Sequence, residues 1–317
     1  MASLLLGLYI LLVRSSVFWV PFEGSPHGAG PFSAWLYEWI GHNTLPAQLL
    51  AMALLLAQGF YLNIIVSENR LAAEVSLFPG VFYVLLASLL PEFVYLSPLL
   101  LGNTFYLIVL GEVFNSYKKT EAAGDIFNIG FWTGAGALFY PSFLALLLVG
   151  FVGLNILRAF KIRERLMALA GLFVPFFLTG TWLFWDGGYP EYAQQVKSGF
   201  AWLDFSPAPV IAAYRSLGIM AVLILVLIVS YRSYLLKQSI DVQRKISIVF
   251  WGLLLSALTV FFQADIGLEH LLILTLPAGL LLSLNFIRLP RQTAEVLHLL
   301  LLALALALQF QPLLFSA

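Results

Sequence analysis

The stretch that decides the fold is IFNIGFWTGAGALFYPSFLALLLVGFVGLNIL, Ile126–Leu157, which contains no Asp, Glu, Lys or Arg. As one straight helix it would extend about 48 Å, whereas the hydrocarbon core of a bilayer is only about 30 Å thick. Tyr140-Pro141 lies near its middle, and proline breaks or kinks a helix. The stretch is therefore predicted to form two short helices, Ile126–Phe139 and Ser142–Leu157.

The composition of the whole chain is equally apolar. Of its 317 residues, 61% are hydrophobic and 10% are charged, and the mean hydropathy is +0.95. Soluble domains carry about 25% charged residues. These values exclude a soluble enzyme, a nucleic-acid binder and a secreted disulfide scaffold, and the lack of cysteine excludes thiolate metal sites and catalytic thiols. The predicted fold class is all-α, a polytopic membrane helix bundle.

Hydropathy predicts about 11 membrane segments, because a crossing helix needs roughly 20 apolar residues. The first crossing has no basic region before it and no small-residue cleavage site after it, so we expect it to be retained. The predicted segments are Ala2–Val20, Pro46–Val66, Ala72–Leu90, Leu96–Asn115, the broken pair, Leu166–Trp185, Pro209–Tyr231, Ile246–Phe262, Leu271–Ile287 and Val296–Gln311.

The distribution of basic residues favours a hairpin over a single crossing at Ile126–Leu157. With a hairpin, only Lys197 lies on the outer side, and one side receives Arg70, Lys118, Lys119, Arg158, Lys161, Arg163, Arg165, Arg232, Lys237, Arg244, Lys245, Arg288 and Arg291. The positive-inside rule makes that side cytoplasmic. We therefore expect a cytoplasmic N-terminus and an external C-terminus. The basic loops are interpreted as topology determinants and lipid-headgroup contacts.

Two long connections, Pro21–Leu45 and Asp186–Ala208, are predicted to lie on the external side. Both are rich in aromatic residues, Gly and Pro. Within the first, PFSAWLYEWI (Pro31–Ile40) spaces its aromatic residues for a short helix in the interface plane. The alternative interpretation of these aromatics is a belt that anchors the loop. The external side also collects acidic residues, namely Glu23, Glu38, Glu92, Asp186, Glu191, Asp204, Asp265 and Glu269.

Arg14 and Arg215 are placed inside predicted crossings, each about 9 Å below the external boundary. A charge at mid-bilayer costs about 2.5–3.5 kcal/mol on insertion scales, so both arginines need anionic partners. A lipid phosphate is suitable because guanidinium binds phosphate oxygens in a bidentate manner. The alternatives are snorkelling to the headgroups or pairing with an external carboxylate such as Glu23 or Glu269.

Two glutamates are predicted at the outer surface. Glu23 follows the first crossing, and Glu92 follows Pro91 at the next outward turn. A carboxylate there is suited to act as a general base or to hold a divalent cation such as Mg²⁺ or Mn²⁺. The alternative is an ordinary solvated carboxylate, and the sequence leaves the identity of any metal open.

Polar residues within the crossings are predicted to form hydrogen bonds between helices, since lipid offers them no partner. They are Gln58, Asn63, Asn103 and Asn155, whereas Glu112 is an exception, because its place one turn from Asn115 allows it to reach the cytoplasmic interface.

The order of these features resembles a known family. An external loop with an early acid and an interfacial helix precedes the Pro-acid turn LLPEFVYLSPLLLGNTFYL (Leu89–Leu107) and the broken pair around GAGALFYPSFLALLLVGF (Gly134–Phe151). This pattern is similar to the membrane module of the type C glycosyltransferases, which use polyprenyl-phosphate-linked sugars. The resemblance covers about Leu4–Trp185. Residues from Asn63 to Trp185 also resemble an uncharacterised family of polytopic membrane proteins common in Bacteroidota.

The resemblance implies a multi-pass protein of the bacterial inner membrane that acts at the outer face on a polyprenyl-phosphate carrier. It divides the chain into a glycosyltransferase-like module (1–185) with the external loop 21–45, a second external loop (186–208) and a C-terminal four-helix membrane region (209–317). It makes Glu23 and Glu92 the candidate catalytic acids. Arg14 and Arg215 are candidate ligands of the lipid phosphate from their depth.

The sequence also departs from that family. Its first loop has a lone Glu in PFEGSPHGAG (Pro21–Gly30), where such enzymes usually have Asp, and Asn103 occupies a region where an acid is often found. The alternative function is therefore a non-catalytic membrane subunit of an envelope complex for export, secretion or lipid handling, with membrane-protein partners. A secondary transporter is a third interpretation, based on the break at Tyr140-Pro141.

Overall fold

The protein is all-helical in a computed structural model that describes residues 2–20, 29–72, 76–199, 211–236, 238–259 and 268–314. No strand occurs among these residues, which confirms the predicted fold class. The α-helices are α1 Ala2–Val13, α2 Pro31–Ile40, α3 Leu45–Glu68, α4 Phe78–Leu86, α5 Pro98–Asn115, α6 Ala123–Phe139, α7 Leu147–Leu157, α8 Ile162–Trp185, α9 Tyr189–Gly199, α10 Ile211–Leu235, α11 Ile240–Leu258, α12 Leu272–Arg288 and α13 Arg291–Leu314. Short 3-10 helices cover Ser15–Phe18, Pro91–Phe93, Pro141–Leu146 and Leu268–Leu271.

Six described helical segments are long and apolar enough to cross a membrane, as expected of a multi-pass membrane protein. They are Leu45–Glu68, Pro98–Asn115, Ile162–Trp185, Ser216–Leu235, Leu268–Arg288 and Arg291–Gln311. Leu4–Val13 and Pro141–Leu157 are shorter apolar helical segments. The count of about 11 segments and the orientation of the termini remain predictions.

The predicted break at Tyr140-Pro141 is confirmed. Helix α6 ends at Phe139, and a 3-10 helix beginning at Pro141 leads into α7. The two ends of this broken pair lie together, because Arg158 Nη1 donates to the carbonyl oxygens of Ser116 (2.7 Å) and Lys119 (2.8 Å). The pair therefore returns to the end of the bundle from which it started.

The prediction of a continuous helix over Ala72–Leu90 is wrong. Among its described residues, 72 and 76–90, the α-helical part is the nine-residue α4, which extends only about 13 Å at 1.5 Å per residue. The chain then passes through buried turns and the 3-10 helix Pro91–Phe93 before α5 begins. The first predicted crossing, Ala2–Val20, is likewise divided into α1 and the 3-10 helix Ser15–Phe18. Hydrogen bonds from the Arg14 side chain, described below, satisfy three carbonyl groups of the segment after α4.

Small residues bring α6 and α8 into close contact. A Cβ atom built on Gly130 would lie 1.7 Å from the carbonyl oxygen of Ala168, and one on Gly171 would lie 2.2 Å from that of Phe127. Such approach of backbones is how membrane helices gain packing energy where no hydrophobic effect drives association. Helix α12 forms the centre of the bundle, since 83% of its span is buried.

The two ends of the bundle differ in charge. At the end that we call the basic end, Lys118 pairs with Asp241 (2.6 Å) and Lys245 Nζ donates to Asn69 Oδ1 (2.7 Å), next to the Arg158 contacts. Helices α2 and α9 and the 3-10 helices Pro91–Phe93 and Leu268–Leu271 form the opposite end, which we call the acidic end. Its described carboxylates are Glu38, Glu92, Asp186, Glu191 and Glu269.

Candidate functional site

The Arg14 side chain is fully buried near the acidic end, just after α1. Its Nε donates to Ser88 Oγ (3.1 Å) and its Nη1 to the carbonyl oxygen of Val94 (2.8 Å). Its Nη2 donates to the carbonyl oxygens of Ala87 (3.1 Å) and Phe93 (3.0 Å). Four of the five guanidinium N–H groups thus bond to the non-helical segment between α4 and α5. Because none of its surface is exposed, lipid phosphate does not reach Arg14 in this arrangement.

Glu92 lies within the segment that Arg14 holds. It is half-buried in the 3-10 helix Pro91–Phe93, and the two residues after it, Phe93 and Val94, supply carbonyl oxygens to the guanidinium. The structure therefore brings Arg14 and the Glu92 segment together. The contact runs through the backbone, which the sequence did not reveal.

Two of the predicted site residues are beyond what the structure describes. Glu23 falls in 21–28, outside the described residues. Arg215 belongs to α10, but its side chain lies outside the described part of the chain. The lipid-phosphate role of Arg215 and the catalytic role of Glu23 remain predictions.

A groove of about 740 Å³ opens at the acidic end between α2, α9 and the ends of α6 and α8. Its aromatic lining consists of Phe32, Trp35, Phe139, Trp182 and Tyr192, and its carboxylates are those of Glu38, Asp186 and Glu191. It joins the two connections that the sequence predicted to be external. The sequence identified these acids only as members of a longer list, and it did not predict helix α9.

Backbone contacts fix α2, which coincides with the predicted helix Pro31–Ile40, against the broken end of α6. The Gly30 N–H (2.8 Å) and the Ser33 hydroxyl (2.9 Å) both donate to the carbonyl oxygen of Phe139. A Cβ on Gly30 would lie 2.3 Å from the carbonyl oxygen of Leu138, so this approach requires glycine. The break at Tyr140 therefore leaves a carbonyl free to hold one wall of the groove.

The opposite wall is helix α9, which Tyr192 attaches to α8. The Tyr192 hydroxyl donates to the carbonyl oxygen of Phe176 (3.3 Å), and the ring is buried. Burial, followed by the neighbouring Tyr189, raises the pKa of the Tyr192 hydroxyl, which therefore stays protonated at neutral pH.

The lining chemistry of the groove combines exposed indole faces with exposed carboxylates. Trp35 and Trp182 are 62% and 63% exposed, and Trp35 stacks on Trp39 with ring centroids 6.2 Å apart. Such lining offers flat apolar surfaces and charged hydrogen-bond acceptors to one ligand. Within the described ranges, no three His, Cys, Asp or Glu side chains are grouped closely enough to hold a metal ion.

A second group of polar side chains lies next to α2, on the other side of the break. The His270 ring meets the Tyr140 ring edge to face at 5.7 Å, and the 3-10 helix Leu268–Leu271 packs against the Glu92 segment. Burial and the nearby charge of Glu269 raise the pKa of the Tyr37 hydroxyl. Glu92, Glu269 and His270 thus belong to neighbouring segments, a juxtaposition that their distance along the chain conceals.

The predicted interhelical hydrogen bonds of Gln58, Asn63, Asn103 and Asn155 are confirmed, and Glu112, which the sequence set apart, also accepts one. The amide nitrogens of Gln58 and Asn103 donate to the carbonyl oxygens of Leu100 (2.7 Å) and Leu272 (3.3 Å). The side-chain oxygen of Asn63 accepts a bond from the Gly80 N–H (2.8 Å), and that of Asn155 accepts one from Arg165 Nη2. The Glu112 carboxylate accepts a bond from Asn128 Nδ2 (3.3 Å). The Tyr83 hydroxyl also donates to Gln58 Oε1 (2.6 Å). These residues are therefore structural contacts of the bundle.

No family model matches this chain, and neither a curated protein nor a solved structure matches it.

Proposed function

We propose that the protein binds a polyprenyl-phosphate-linked saccharide at the outer face of a bacterial inner membrane and transfers its sugar. The observation that supports this proposal is the groove between α2 and α9, which combines Trp35 and Trp182 with the carboxylates of Glu38, Asp186 and Glu191. Aromatic faces stack on the apolar faces of sugar rings, and carboxylates accept bonds from hydroxyl groups. The acidic lining favours a neutral or amino sugar over an anionic one.

The position of the groove suits a substrate that is half lipid and half sugar. Trp39 and Trp185 directly neighbour the groove residues Glu38 and Asp186 in sequence, and their side chains are 79% and 91% exposed. Exposed tryptophans of this kind settle at the headgroup level of a membrane. A saccharide in the groove would then lie just above the bilayer while its isoprenoid chain remained in the lipid.

The proposed transfer is a direct displacement at the anomeric carbon. An acceptor hydroxyl attacks that carbon, its proton passes to a carboxylate, and the carbon–oxygen bond to the phosphate breaks. The electron pair leaves with the polyprenyl phosphate, and the configuration inverts. Glu23 is proposed either to accept that proton or to hold a divalent cation, and Glu92 is proposed to support it. Arg215 is proposed to pair with the lipid phosphate, whereas Arg14 acts as the positioning residue of the Glu92 segment.

Mass spectrometry of lipids that co-purify with the protein tests binding. The wild type is expected to retain polyprenyl phosphate or its glycosylated form, and the double variant Trp35→Ala/Trp182→Ala is expected to retain much less. Phe173→Ala/Phe177→Ala is the matched control, because these rings are equally exposed on α8 but do not line the groove. Equal retention by both double variants would contradict the assignment of the groove.

The same measurement tests transfer without knowledge of the sugar. In Glu23→Gln we expect the ratio of glycosylated to free polyprenyl phosphate to rise, because the bound donor is no longer consumed. Glu121→Gln removes an exposed carboxylate at the basic end and should leave the ratio unchanged. An unchanged ratio in Glu23→Gln would remove that residue from the mechanism, and the same comparison with Glu92→Gln tests the second acid.

A second candidate function, a non-catalytic subunit of an envelope complex, is favoured by the exposure of two helices. Only 17% of the α10 span and 22% of the α13 span are buried within the chain. These surfaces are available to partner helices as well as to lipid. Purification with a partner protein in fixed stoichiometry and without any isoprenoid phosphate would support this function over sugar transfer.

A further inference from the structure

A pocket of about 340 Å³ lies at the basic end, away from the groove. It is an open depression lined by the turn after α5, the connection between α7 and α8, and the first turn of α11. Its lining residues are Tyr117, Lys118, Leu157, Arg158, Ala159, Lys161, Glu164 and Arg244. Three segments that are distant in sequence thus direct four basic side chains to one place.

Two of these basic residues are neutralised and form the walls of the pocket. Arg158 pairs with Glu164 at 3.0 Å, with both side chains about 10% exposed. Lys118 pairs with Asp241 at 2.6 Å, and this hydrogen bond lowers the pKa of the Asp241 carboxyl. The Lys118–Asp241 pair joins the turn after α5 to α11, and the hydrogen bonds from Arg158 to the carbonyl oxygens of Ser116 and Lys119 join that turn to the α7–α8 connection.

Lys161 and Arg244 differ from the other two basic residues. Both side chains are exposed, and neither forms a hydrogen bond or an ion pair with another residue in the described part of the chain. The pocket therefore presents two cations without an ion-pair partner in the described residues, although the charge of Arg244 contributes to lowering the pKa of the nearby Asp241 carboxyl. One is an ammonium and the other a guanidinium, which binds phosphate oxygens in a bidentate manner.

We propose that this pocket binds the phosphate of an anionic phospholipid. The apolar surface beside it selects a lipid over a free phosphate, because Phe160 and Ile162 flank Lys161 and are 68% and 64% exposed. Phe160 is held in place by the Arg165 guanidinium, 5.4 Å from its ring. If the headgroup phosphate lies between Lys161 and Arg244, the acyl chains of the lipid would lie along the Phe160 and Ile162 side chains. Basic pockets at membrane surfaces bind lipid headgroups in this way.

Thermal-shift titration of the detergent-purified protein with dihexanoyl phosphatidylglycerol tests this site. A ligand that binds the folded state raises the melting temperature in a saturable way. We expect such a rise in the wild type. In Lys161→Gln/Arg244→Gln we expect the titration midpoint to be about 30-fold higher, because the variant loses the contribution of two cations to phosphate binding near a lipid surface. Neither substitution breaks a described hydrogen bond, so the variant is expected to fold.

The matched control is Arg163→Gln/Arg232→Gln, which removes two exposed, unpaired charges without touching the pocket lining. This control should titrate like the wild type. The assignment is overturned if the pocket variant titrates like the control or if dihexanoyl phosphatidylcholine gives the same curve as phosphatidylglycerol. Inorganic phosphate that reproduced the curve at the same concentrations would overturn the lipid in favour of a free phosphate.

Discussion

At the scale of single residues, Arg14 shows how a buried charge is used in this bundle. A guanidinium in apolar surroundings is costly, and here four carbonyl or hydroxyl oxygens compensate it. Three of those oxygens are carbonyl groups of buried backbone that leaves the α-helix after α4, and the fourth is the Ser88 hydroxyl. The buried arginine and the segment between α4 and α5 therefore stabilise each other through these hydrogen bonds.

Arg14→Lys separates this structural role from simple charge. Lysine retains the positive charge but has three N–H donors on one nitrogen, so it cannot replace the four hydrogen bonds that Arg14 makes from its Nε, Nη1 and Nη2 atoms. We expect the free energy of unfolding to fall by about 3 kcal/mol, measured by thermal or denaturant unfolding in detergent. Arg232→Gln is the control because its side chain is exposed. A lysine variant as stable as the wild type would contradict the positioning role.

At the scale of helices, close packing of α6 on α8 holds one side of the groove. Gly171→Leu places a side chain where the carbonyl oxygen of Phe127 lies 2.2 Å from the added Cβ. We expect a loss of about 1–3 kcal/mol in unfolding free energy or a displaced helix pair. Gly218→Leu on α10 is the control, since a Cβ there meets nothing within 4 Å. Equal stability of both variants, by thermal unfolding, would show that the α6–α8 contact is looser than described.

Local sequence was sufficient where the limits of a helix depend on nearby residues. Pro31 at the start of α2 and Pro141 after α6 mark their boundaries directly, and both predictions were confirmed. Local sequence did not predict that the helix in Ala72–Leu90 ends early, because the end of α4 depends on hydrogen bonds from Arg14, which is distant in sequence. Hydropathy cannot distinguish a buried turn with a remote hydrogen-bond donor from a continuous apolar helix.

The same reasoning explains which parts of the site were predictable. The acids of the two long connections were identified as external, but their assembly around one groove depends on α2 docking on the broken end of α6. That contact is made with the backbone carbonyl oxygen of Phe139, and no pattern of side chains in the sequence predicts it. The pocket at the basic end was similarly hidden, because Lys161 and Arg244 are brought together only by the packing of α7, α8 and α11.

At the scale of the whole molecule, both proposed binding sites depend on a bundle with two chemically different ends. One end gathers the ion pairs and the exposed cations around Lys161 and Arg244. The other carries the groove with Glu38, Asp186 and Glu191. A saccharide site in the groove requires the acidic end to face outward, and a phospholipid site in the pocket requires the basic end to lie at a membrane surface.

Single-cysteine labelling of intact cells tests this orientation most directly, because the chain has no cysteine of its own. Pro190→Cys lies on α9 beside the groove, and Ile240→Cys lies at the start of α11 beside the basic pocket; both positions are exposed. A membrane-impermeant maleimide is expected to label Pro190→Cys from outside and to label Ile240→Cys only after the membrane is opened. The opposite pattern, or labelling of both from outside, would contradict the account.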